Sequence, residues 1–165
     1  MLGPNDIIAH QLQVGANLLR MFSSDLSDEE FLFQPTEGGC HLLWILGHLA
    51  HTQEWVLTSL VGQPPRMPKE MQELFGGGST VHGDASKYPA PTEVQDLLAG
   101  TQERTLAALA TFDAARWDDP APEGVPQEFF PTLGSLWEML AVHTFWHFGQ
   151  LTVNRRMLGK PMKLI

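Results

Sequence analysis

Four stretches with apolar residues at helical spacing, each cut off by glycine or proline, constrain the fold of this chain more than any other feature. The first runs from about Pro4 to Phe22, with Ile8, Leu12, Leu19 and Phe22 on one face. Pro4 suits a first helical position, where its missing N–H removes no bond. The second begins near Cys40 or His41 and reaches about Val61, where Gly62 and Pro64-Pro65 stop it. Leu43, Leu46, Ala50, Leu57 and Val61, with Trp44 and Trp55, cover so much of its surface that it reads as largely buried. The third starts near Thr92, where Thr92-x-x-Gln95 forms a capping-box pattern, and continues through Leu97, Leu98, Leu106 and Leu109 to about Phe112. The fourth opens after Thr132 as N-cap and runs to about Leu158, closed by Gly159 and Pro161. No stretch alternates as a half-buried strand would, and there is no internal repeat. The pattern predicts an all-α bundle of four long helices.

The connections carry information of their own. Ser27-x-x-Glu30 is a second capping-box pattern, for a short turn ending before Pro35, and 36–39 is a loop. Residues 62–91 form a Gly- and Pro-rich link, with one or two helical turns expected over Pro68 to Phe75 and a flexible Gly76-Gly77-Gly78. A link this long is unusual between helices of one domain. It lets the second and third helices run parallel through a crossover, and it can fold over one end of the bundle to shape the mouth of a site. A Pro-rich loop with Pro120, Pro122, Pro126 and Pro131 precedes the last helix.

At 165 residues the chain supports one core, so residues 1–165 read as a single domain. Its net charge of −9 offers no basic stripe for phosphates, so nucleic acid is not an expected partner. The one basic cluster, Arg155-Arg156 with Lys160 and Lys163, reads as cations complementing a helix C-terminus. No run approaches the ~18 apolar residues of a membrane span. The first residues lack the pattern of a secretory signal, and the single Cys40 suits a reducing compartment, so a cytoplasmic location is expected. Apolar residues on the helix surfaces leave room for a homodimer.

Seven histidines are the chemically telling residues. His143 and His147 stand four apart, so both imidazoles project from one helix face and can reach one point. Neutral imidazoles in that arrangement bind Zn, Ni, Fe or Cu. Two half-buried histidines hydrogen-bonded to backbone would give the same spacing. His48, in Trp44-Ile45-Leu46-Gly47-His48-Leu49-Ala50, is a candidate third ligand that a bundle brings to the same level, with Gly47 permitting close approach of a neighbour. His51, three residues on, is its rival. His10, His41 and His82 have no partner at ligand spacing and read as cap, surface or loop residues. Cys40 precedes His48 by eight residues, roughly 12 Å along a helix, too far to share a metal; a structural role suits it better than a thiol activated at a helix N-terminus. Glu54 is a candidate acid/base or supporting group, although a solvated surface glutamate accounts better for it. Nucleophile-elbow, phosphate-loop and C-x-x-C patterns are absent.

Three segments together resemble the DinB-like (damage-inducible) family, which includes YfiT-like metal-dependent proteins and bacterial thiol S-transferases. These are Leu26-Ser27-Asp28-Glu29-Glu30 through Gln34-Pro35-Thr36, Trp44 through Ala50, and His143-Thr144-Phe145-Trp146-His147-Phe148-Gly149-Gln150-Leu151 running on to Pro161. The resemblance is collinear with all four helices. It implies a four-helix bundle in up-down-down-up order and a metal triad of His48, His143 and His147, which favours His48 over His51. It further implies a divalent ion, zinc or nickel, activating a low-molecular-weight thiol such as bacillithiol or mycothiol for attack on a small electrophilic substrate. A hydrolase or isomerase on the same site, or a non-enzymatic metal-binding stress-response protein, are the other functions it allows. His41 departs from the pattern, where Asn or Ser is expected near the cap.

Overall fold

In the computed structural model, which describes residues 2–163, the chain is all-helical: α1 (Pro4–Ser23), α2 (Asp28–Phe31), α3 (Leu42–Val61), α4 (Lys69–Phe75), α5 (Pro91–Ala110) and α6 (Leu133–Met157). The four long helices are α1, α3, α5 and α6, matching the four predicted stretches. Among the described residues the only β-type pairing is one isolated bridge, Pro120 to Thr132. No described helix is long and apolar enough to cross a membrane.

Helix ends follow local chemistry. Ser27 and Glu30 form the expected capping box for α2, and Thr132 accepts from the Ser135 amide to start α6. Gly62 closes α3 at φ +66°, a left-handed conformation that favours glycine. The Thr92-x-x-Gln95 box does not form. Pro91 starts α5 one residue earlier, with Ala90 as a cap that makes no side-chain bond, because proline's fixed φ already sets the first turn. At its other end α5 stops at Ala110, two residues before the expected Phe112. There the Asn5 side chain donates to the carbonyl of Leu109 (2.9 Å), which also accepts from the Phe112 amide (3.1 Å), and to the carbonyl of Phe112 (2.7 Å).

α3 packs along α5 and α1 along α6, with further contacts between α3 and α6 and between α1 and α5. Two apolar clusters fill the interior. One joins Ile8 and Leu12 of α1 with Val56 and Leu57, Ala108 and Leu109, and Leu136 and Trp137. The other joins Leu19 and Phe22 with Leu42 to Leu46, Val94 and Leu151. Burial of these side chains, roughly 1.5–3 kcal/mol each, is the main stabilising term.

The C-terminal cations do more than complement a dipole. Arg155 is fully buried, pairs with Asp25 (2.7 Å) and donates to the carbonyls of Phe22 (2.6 Å) and Pro161 (2.8 Å). Lys163 also reaches Asp25 (3.0 Å), and Lys160 pairs with Glu30 (2.8 Å). These bonds fasten the turn between α1 and α2 to the end of α6.

Candidate metal centre

α3 and α6 meet between the two clusters, and there His48, His143 and His147 come together, each offering a ring nitrogen within 4.8 Å of the others. His143 and His147 are adjacent because residues four apart share a helix face. Their Nε2 atoms lie 2.9 Å apart. The His48 ring is edge-on to both, with centroids 4.9 Å from His143 and 5.2 Å from His147.

The outer nitrogens of two rings are engaged. His48 Nδ1 lies 2.8 Å from the carbonyl of Phe75, and His147 Nδ1 lies 2.7 Å from Gln150 Oε1. Both partners are oxygen acceptors, so each Nδ1 donates and each Nε2 keeps its lone pair. That is the tautomer a metal ligand needs, and such bonds also fix ring orientation. Trp44 stacks on His48 at 4.5 Å and 13°, holding the ring from its other face.

Desolvation sets the charge state. Burial, reinforced by the neighbouring His147 and His48 rings, holds His143 down to about 3 from 6.5. Burial takes His147 to about 4 against the opposing Gln150 bond, and it lowers His48 against the Phe75 bond. At neutral pH all three are uncharged and able to donate electron pairs. Only His147 is fully buried, at 7% exposure; the other two reach the surface of a cavity of about 490 Å³ between α3, α6 and the loop carrying Phe129 and Phe130.

The remaining candidates fall elsewhere. His51 stacks behind His48 at 6.5 Å and is not part of the triad. Glu54 is neither solvated nor beside the histidines. It is 3% exposed, ion-paired to Arg104, and accepts from Thr101 Oγ1 (3.3 Å) and the Arg66 amide (3.1 Å). His41 is the α3 cap itself: its Nδ1 accepts from the Trp44 amide (3.1 Å), and its Nε2 donates to the His82 carbonyl (3.0 Å). An imidazole thus does what Asn or Ser was expected to do. The Cys40 thiol is half-buried, and burial pushes its pKa up, away from the reactive range. His10 is exposed, and His82 takes part through its backbone.

Two supporting groups escaped the sequence reading. Gln150 had a signal, since it lies three residues after His147 on the same face. The Phe75 carbonyl had none, being a backbone atom brought in by α4. Gly47 makes that approach possible. A Cβ there would enter the Phe75 ring, so α4 rather than a long helix is the neighbour that Gly47 admits.

An all-helical chain with three convergent neutral imidazoles beside a cavity defines the class: a helical protein fit to bind a metal. The sequence profile of the DinB superfamily matches residues 11–151, and the chain belongs to that superfamily. Its fold is similar to the crystal structure of a conserved protein from Enterococcus faecalis, with a TM-score of 0.73 over 97% of this chain and 100% of that one. At 14% identity that likeness speaks for the fold alone. No curated protein matches the chain.

Proposed function

We propose that this protein, as one DinB-like domain over residues 1–165, binds one divalent transition metal, zinc or nickel, through His48, His143 and His147, and is a thiol S-transferase. The observation that carries the reading is the triad with two of its outer nitrogens tied to acceptors. Random burial of histidines gives no reason for all three inner nitrogens to converge. A divalent ion there would supply Lewis acidity, which keeps a low-molecular-weight thiol ionised near neutral pH. The protein's own part is to hold three neutral imidazoles, pack Trp44 against the His48 ring, and seat an electrophile in the adjoining cavity. In the transfer the thiol proton goes to solvent, a sulfur–carbon bond forms, and the leaving group departs with its electron pair. The up-down-down-up helix order belongs to the same reading. It is supported by the way early α1 and α6 residues share a cluster with late α3 and α5 residues. Exposed Val153 and Met157 on α6 support the homodimer expectation.

Metal analysis of purified protein, paired with thiol-dependent conjugation of monochlorobimane, tests the proposal. We expect about one ion per chain, lost in His147→Ala, and conjugation only when both thiol and metal are supplied. Protein without bound metal refutes the centre. Metal without turnover across several thiols refutes the transferase assignment and leaves a metal-binding protein.

A further inference from the structure

The cavity beside the histidines has a composition that selects its occupant. Phe129 and Phe130 from the Pro-rich loop and Met139, Val142 and Trp146 from α6 give it apolar walls. Glu138 is the one carboxylate in the lining, which includes no lysine or arginine. Among the described residues Glu138 makes no ion pair, unlike Glu30, Glu54 and Glu73. Its carboxylate is exposed, so the charge stands open to a ligand in the cavity.

The aromatic walls point the same way. Phe129 is 70% and Trp146 69% exposed, so neither contributes much to the core. Their ring faces carry the negative side of the aromatic quadrupole, which attracts organic cations. At about 490 Å³ the cavity has the size of a small-molecule site. A net charge of −9 draws cations towards it and repels anions. The larger cavity between α1 and α5, by contrast, is lined by both Arg20 and Asp96 and selects neither sign.

We propose that this cavity is an organic-cation pocket, taking a substrate with an apolar body and an ammonium group. The ammonium group sits at Glu138 and the apolar body lies along Met139, Val142 and Trp146 towards His143. Glu138 precedes His143 by five residues, so the charge is held about 7–8 Å along the α6 axis from the triad. That separation keeps a cationic group apart from a divalent ion and aims the uncharged end of the substrate at the reacting thiol. The proposal rests on reading this cavity as the electrophile's seat.

Calorimetric titration with benzyltrimethylammonium, benzyl alcohol and benzoate, each on metal-free and zinc-loaded full-length protein, tests it. We expect the cation to bind at least about tenfold more tightly than the alcohol, and benzoate more weakly than either. Glu138→Gln should erase most of the cation preference, Trp146→Ala should weaken the cation and the alcohol together, and the control Glu103→Gln on α5 should change nothing. Both changed side chains are exposed, so the fold should survive, and circular dichroism checks that. Equal binding of benzoate, a preference that survives Glu138→Gln, or no saturable cation binding overturns the assignment. Cation binding to protein that takes up no zinc would keep the pocket and sink the metal centre. Zinc uptake without cation binding would do the reverse.

Discussion

Gly47→Ala is the sharpest test of how the fold supports the triad. A methyl group at this position enters the Phe75 ring, meeting Cγ and Cδ1 rather than a flexible tip. Phe75 is fully buried in the second apolar cluster and has no open space to swing into. Overpacking of this kind costs about 1–3 kcal/mol, and the position of the clash argues for the upper part of that range. Against it stands about 1 kcal/mol gained by replacing a mid-helix glycine with alanine. The net expectation is a loss of about 1–2 kcal/mol. Gly100→Ala on α5 supplies the control, because no heavy atom lies within 4 Å of its would-be Cβ and only the propensity gain of about 1 kcal/mol applies. The two variants should therefore differ by about 2–3 kcal/mol in denaturant unfolding, or roughly 4–12 °C in Tm for a chain of this size. Phe75 also supplies, from its backbone, the carbonyl that orients His48, so a shift of this residue disturbs that bond. Metal affinity should consequently fall about 10–100-fold in Gly47→Ala and not at all in Gly100→Ala. Equal stability of the two variants would refute the packing argument. A destabilised Gly47→Ala with unchanged metal affinity would refute the link from α4 to His48.

Three further outcomes are expected. Gln150→Ala removes the acceptor that fixes His147, and competition with a chromogenic chelator should show metal binding weakened about 10–100-fold with little change in apo-protein stability. His41, fully buried, is held by desolvation at about 4 against 6.5 for a free histidine. The unfolded chain then binds the extra proton more readily, so stability is complete above about pH 6.5 and falls as pH drops towards 4, by up to about 3 kcal/mol. His41→Asn keeps a capping group but should lessen that slope in the apo protein, leaving the part owed to His48, His143 and His147; an unchanged slope between about pH 4 and 6.5 would rule out a contribution from His41. Arg155→Met removes the Asp25 pair and leaves the Phe22 and Pro161 carbonyls without their donor, and urea unfolding should register a loss of about 2–4 kcal/mol.

The long helices were legible because their signals are local and repeated. Pro4, Gly62, Thr132 and Gly159 mark ends that the structure keeps. α5 starts at Pro91, next to the expected Thr92, because the proline's covalent restraint sets the first turn where a Thr92-x-x-Gln95 box would have relied on a side-chain bond. His143 and His147 could be paired from spacing on one helix. Choosing His48 over His51 needed the family resemblance, because which face of α3 meets α6 depends on packing between helices. Glu54 shows that limit most clearly. Its distance from His48 along the chain says nothing of Arg104 and Thr101, which lie on another helix about 50 residues later.

Seen across the four helices, the residues that periodicity could not explain fall at one level. Between the two apolar clusters α3 carries His48, Gln53 and Glu54, α5 carries Thr101, Gln102, Arg104 and Thr105, and α6 carries His143, Thr144 and His147. On the α3–α5 side, Gln53 donates to Gln102 (3.1 Å) and accepts from Thr105 (3.0 Å), beside the Glu54–Arg104 pair. On the α3–α6 side stand the three histidines. α1 contributes Gly15 at this level, where a Cβ would strike Thr144, so α1 can close over the layer without a side chain of its own. Apolar clusters tolerate sliding and repacking, whereas a buried polar layer is satisfied only in one register. The bonds between α3 and α5 therefore fix the axial position of α3, and with it the height of His48 against α6. Breaking the Gln53–Thr105 bond by Thr105→Val, nearly isosteric and far from the metal ligands, should on this argument weaken metal binding as well as stability.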